Sequence, residues 1–132
     1  MKLLLEEPGS STMEALANTA QRLACVALGY VELRSGLAQA KRTGRAAPDE
    51  YIALMAELTR LWARVAQVPI DEQLITTAGD DAETHALRSY DAVHLAALQT
   101  AGPPGTIAFA CWDRDLRGAA ERLGYDLLPP AL

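Results

Sequence analysis

Four acidic residues stand beside strongly apolar runs. Asp91 opens the run Ser89-Tyr90-Asp91-Ala92-Val93-His94-Leu95-Ala96-Ala97-Leu98, and Asp113 and Asp115 follow Ile107-Ala108-Phe109-Ala110-Cys111-Trp112. Glu32 comes shortly after Leu23-Ala24-Cys25-Val26-Ala27-Leu28, past the break at Gly29. Each acid has an ordinary explanation. Asp113 at a strand-to-helix junction suits an N-cap that accepts backbone N–H bonds. Asp91 and Asp115 in first helical turns favour the helix macrodipole, and Glu32 is common helix polarity. Collected at one site, however, such carboxylates repel one another. A hard divalent cation with oxygen ligands, Mg²⁺ or Mn²⁺, removes that repulsion and can activate water for an in-line displacement at phosphorus.

Other candidates are less pointed. His94, one turn after Asp91, suits the core of an apolar helix, and His85 suits solvent or a helix cap. Trp62 and Trp112 read as core, while Tyr30 and Tyr90 each adjoin a candidate acid. No Gly-x-x-x-x-Gly-Lys loop or Gly-x-Gly-x-x-Gly run is present to cradle a nucleotide cofactor, and neither serine nor cysteine forms a nucleophile constellation.

The elements that must position the acids alternate. Met1 to Glu7 reads as the end of an earlier element, Pro8-Gly9 as a turn, and Thr12 to Thr19 as a helix. Leu23 to Leu28 has the uninterrupted apolar character of a fully buried strand. Leu33, Leu37 and Ala40 recur at helical spacing, and Pro48-Asp49 opens a longer helix through Leu54, Leu58 and Leu61. Val65 to Ile70 predicts a second strand, followed by two short helices at Asp71 to Ala78 and Asp81 to Leu87. The helix from Asp91 is apolar on nearly every side and closes at Gly102-Pro103-Pro104-Gly105. Thr106 to Trp112 is a third strand, Leu116 to Leu123 a helix stopped by Gly124, and Asp126-Leu127-Leu128 a short last strand. The pattern predicts an α/β fold with a parallel β-sheet flanked by helices, whose sites lie outside the carboxyl ends of the strands. Glu32 and Asp113 fall there.

The chain has 132 residues, half of them apolar, which predicts a single domain over residues 1–132. No apolar run approaches the ~18 residues of a membrane span, and the short acidic start does not resemble a signal peptide, so a soluble cytoplasmic protein is expected. Cys25 and Cys111 lie inside apolar runs and suit a reducing compartment. A net charge of −5 argues against holding nucleic acid by bulk positive potential. Any such role needs a local device, for which Arg34, Lys41, Arg42 and Arg45, or Arg114, Arg117 and Arg122, are permissive patches.

Taken in order, Lys2-Leu3-Leu4-Leu5-Glu6-Glu7-Pro8-Gly9-Ser10, Val31-Glu32-Leu33, Tyr90-Asp91-Ala92-Val93-His94-Leu95-Ala96 and Trp112-Asp113-Arg114-Asp115-Leu116 resemble PIN-domain ribonucleases of the VapC toxin type. The resemblance implies a metal-dependent endoribonuclease with Glu32, Asp91 and Asp113 matching the family's acids and Asp115 assisting. It also implies a homodimer inhibited by a cognate VapB-type antitoxin, with RNA as substrate. In that family a central strand ending in Asp-x-Ser/Thr-Ala-Leu precedes the segment matching Lys2 to Leu5. Here Met1 falls after it, so a strand and turn of about ten residues, with the first catalytic acid, are missing; a start assigned too late is the favoured expectation and a degraded toxin is the other. The alternative is an inactive PIN-like module that binds antitoxin or RNA. Asp113-Arg114-Asp115 after a strand also has the Asp-x-Asp look of haloacid-dehalogenase-type phosphatases, although too little chain follows it for that fold.

Overall fold

The computed structural model describes all residues, Met1 to Leu132. Six helices and four short strands follow one another as α1 (Ser10–Thr19), β1 (Leu23–Val26), α2 (Leu28–Arg42), α3 (Pro48–Trp62), β2 (Val65–Val68), α4 (Glu72–His85), α5 (Ser89–Ala101), β3 (Ala108–Ala110), α6 (Arg114–Arg122) and β4 (Asp126–Leu128). The chain divides into two compact units, Met1–Ala66 and Gln67–Leu132.

In the first unit, α2 packs on α3 because Leu37 and Ala40 of one and Leu58 of the other fall on facing stripes. Leu4 and Leu5 complete this core, with Ala46 beneath the α2–α3 connection. The N-terminal segment therefore serves the core through a turn, Met1 O accepting from Leu4 N and Leu5 N, rather than as the tail of a regular element. Ring packing closes one end, where Tyr30 and Trp62 lie 5.5 Å apart at a tilt of 49°. Pro48 starts α3 without forfeiting a hydrogen bond, and Glu50 Oε2 accepts from Ala47 N at 3.2 Å.

The second unit is built on α4 and α5. Leu74, Ala78 and Asp81 are buried on the first, and Ala92, Leu95, Ala96, Ala97 and Leu98 on the second. The expected pair of short helices is a single helix: Gly79 lies within it, since one glycine costs only about 1 kcal/mol in a helix and the buried stripe runs straight through. Asp71 caps it, accepting from Leu74 N at 2.8 Å. The helix ends at Ala86, a left-handed residue with φ 53° and ψ 40°. There the Ala86 and Leu87 N–H groups both return to Ala82 O, which turns the chain sharply into α5.

Strand pairing differs from a single continuous sheet. β1 pairs with β2 and β3 with β4, each a two-stranded sheet. β3 and β4 run parallel in the register Ala108 to Asp126, Phe109 to Leu127 and Ala110 to Leu128. The last strand falls where it is expected, whereas the first three are shorter than their apolar runs. Leu28 is taken into α2, Pro69 and Ile70 lie beyond β2, and Thr106 and Ile107 lie before β3. Nor is β1 fully buried, for Ala24 is exposed and only Val26 is wholly covered.

Beside the β3–β4 pair, the buried Arg117 side chain is satisfied by main-chain carbonyls and has no carboxylate partner. Its Nη1 donates to Cys111 O at 2.7 Å and Leu128 O at 3.3 Å, and its Nη2 to Pro129 O at 2.7 Å and Pro130 O at 3.4 Å. Since a buried polar group must be paired to be tolerated, this fan fixes the chain just past β3 to the chain just past β4. The residue after next is Asp113.

Candidate functional site

Asp113 leaves β3 and immediately caps α6. Its Oδ1 accepts from Asp115 N and Leu116 N, both at 3.0 Å, so one carboxylate oxygen is committed to the helix. The other, Oδ2, faces Arg88 Nη2 at 3.4 Å. Arg88 precedes α5, and its Nε donates to Asp91 Oδ2 at 2.8 Å one turn further on. Two carboxylates 22 positions apart in sequence thus converge on one planar cation. The guanidinium is itself held firmly protonated, first by its hydrogen bond to Asp91 and then by the negative potential of Asp91, Asp113 and Asp115.

The two acids differ in exposure. The Asp91 side chain is 16 % accessible and that of Asp113 39 %, against 78 % for Arg88. Asp91 is covered because it starts a helix whose next turns are core, and Asp113 is fixed by its cap. Asp115 is exposed in the first turn of α6. His94 is half-buried on α5, and Tyr90 is exposed beside Asp91. Glu32 lies in the first unit, exposed on α2, where its negative charge bears on Cys25 and the N-terminal ammonium. The thiols are poorly suited to nucleophilic work: burial raises the pKa of both Cys25 and Cys111, chiefly by desolvation.

Hard oxygens from Asp91 and Asp113, each aimed at the Arg88 guanidinium, are of the donor type that can hold Mg²⁺ or Mn²⁺. No third His, Cys, Asp or Glu joins them within the second unit to make a preformed ion cluster. An open concavity at the start of α4, lined by Asp71, Glu72, Gln73 and Thr76, shares no residue with the acid pair.

Two proteins of Mycobacterium tuberculosis are similar to this chain along its whole length. Ribonuclease VapC45 of strain CDC 1551 / Oshkosh and Ribonuclease VapC49 of strain ATCC 25618 / H37Rv are each 35 % identical to it over 132 residues, which is 100 % of this chain and 91 % of the relative. The chain belongs to the VapC ribonuclease family. No protein-family model matches it. Membership in the VapC family accords with the α/β succession of helices and short strands, and it leaves the dehalogenase-type resemblance of Asp113-Arg114-Asp115 without support. No helix of this VapC chain is long and apolar enough to cross a membrane.

Sequence reasoning overlooked Arg88. The signal was available in Arg88-Ser89-Tyr90-Asp91, an arginine three positions before an acid at a helix start, but a surface cation in that position is usually only solvated. The pairing to Asp113 depends on β3 ending beside the start of α5, which no local pattern reveals. Arg117 was likewise read as part of a surface patch and is instead buried.

Proposed function

We propose that this chain is a metal-dependent endoribonuclease toxin of a VapBC-type pair. The observation that carries the proposal is the convergence of Asp91 and Asp113 on a single cation. In this reading the two carboxylates hold Mg²⁺ or Mn²⁺, and the bound ion supplies Lewis acidity and an activated water for in-line hydrolysis of an RNA phosphodiester. Asp113 presents Oδ2 because its Oδ1 is bound by the α6 N-terminus, so one ligand oxygen is aimed before any cation arrives. Asp91 is held by the start of α5 at the edge of the core. Asp115 assists from the first turn of α6, and Glu32 of the first unit keeps the role that the family resemblance implies.

The same proposal includes a single PIN-like domain, a homodimer, a cytoplasmic location and a cognate VapB-type antitoxin.

The enzymatic reading is tested by incubating RNA with the protein in Mg²⁺ or Mn²⁺ and in a chelator. Cleavage is expected only with the divalent ion, and Asp91→Asn should lower it by at least about 100-fold, the scale for losing a group that organises transition-state charge. Cleavage that survives both chelation and Asp91→Asn sinks the reading. Antitoxin capture without any cleavage favours an inactive binding module.

A further inference from the structure

We propose that the Arg88 guanidinium is the built-in counter-ion of the acid pair and competes with a divalent cation for it, so that metal entry requires the guanidinium to leave. The inference rests on the proposed metal-dependent function. It follows from which atoms face which. Asp113 has one oxygen already committed, Oδ1 to two backbone N–H groups, and the uncommitted Oδ2 is the one that faces Arg88. Asp91 likewise offers Oδ2 to the same group. Ligation by these oxygens and the bridge by Arg88 draw on the same two atoms.

Charge gives the same answer. Two carboxylates and one guanidinium leave the cluster at about −1, whereas a divalent ion beside a retained guanidinium adds like-charge repulsion in a partly desolvated place. The arginine can leave, since its side chain is 78 % exposed and donates to no other group that would hold it. Nor does its departure unravel α5: Arg88 is the N-cap residue by backbone position, and its side chain makes no capping bond. The bridge also serves the metal-free protein, because it screens two acids that otherwise repel across the β3–α5 junction.

The test is calorimetric titration of Mn²⁺ into the full metal-stripped chain, without RNA, for the wild type, Arg88→Gln and Arg88→Lys, with thermal melting as the check on folding. Arg88→Gln is expected to bind Mn²⁺ about three- to tenfold more tightly than wild type, the gain from removing two exposed ion pairs. Arg88→Lys should fall between, since an ammonium is a point charge that cannot fork across both acids. Adding Asp113→Asn to Arg88→Gln should remove the gain. Unchanged or weaker Mn²⁺ binding by a folded Arg88→Gln protein overturns the inference, leaving Arg88 as a group that merely gathers the ligands. A different result, no Mn²⁺ binding in wild type or Arg88→Gln that depends on Asp113, removes the metal site itself and with it the proposed function.

Discussion

Asp113 divides its two oxygens between separate partners. Its Oδ1 caps α6 while its Oδ2 faces the Arg88 guanidinium, so the capping role leaves the second oxygen available to the proposed function. Asp81, by contrast, has only a packing role. It is 7 % exposed on α4 and accepts from Gln99 Nε2 of α5 at 2.7 Å. Desolvation raises its pKa above the ordinary carboxylate value, against the lowering pull of His85 and of the Gln99 hydrogen bond. The folded state therefore binds this proton more tightly than the unfolded state. Its contribution to stability is full below the unfolded pKa and is lost as pH rises through the folded one. Asp81→Asn, neutral at every pH and still an acceptor for Gln99, is expected to be more stable than wild type near pH 7. Urea unfolding across the acid range should find the difference shrinking as pH falls toward the ordinary aspartate value. A difference that stays constant with pH would refute the assignment.

The elements matter through their ends. α4 stops at Ala86 in the left-handed region, and only two residues later Arg88 begins the approach to α5. A side chain with Cβ is disfavoured there by roughly 1–2 kcal/mol. Ala86→Gly removes that strain, and part of the gain is offset by the greater freedom of glycine in the unfolded chain. A net stabilisation of about 0.5–1 kcal/mol is expected from denaturant midpoints. Destabilisation would mean that the turn is not left-handed in solution.

Much of this level was legible in the sequence, since caps and breakers such as Asp71, Pro48, Gly102 and Gly124 mark the helix ends where they fall. Continuous apolar runs were less informative. Leu23 to Leu28 and Thr106 to Trp112 state that a segment is apolar but not where its hydrogen-bonded ladder stops, and the strands observed are the first four residues of one run and the middle three of the other. The division of α4 into two helices failed because a stripe of buried positions outweighs one interior glycine. Asp91 and Asp113 were recognisable one at a time as acids beside apolar runs. Their meeting at Arg88 was not, because it depends on tertiary placement of β3 against α5.

At the scale of the whole molecule, a net charge of −5 opposes any approach to RNA. Under the proposed function a polyanionic substrate must be engaged by a local device, and a divalent ion at the acid pair is that device. That claim is tested most directly by Asp113→Asn, which separates the two roles of a single residue. Asparagine is as good an N-cap as aspartate, so urea unfolding should find stability within about 0.5 kcal/mol of wild type. The charge on Oδ2 is lost, however, and Mg²⁺- or Mn²⁺-dependent RNA cleavage should fall by at least about 100-fold. A folded Asp113→Asn protein that cleaves RNA at the wild-type rate would contradict the account.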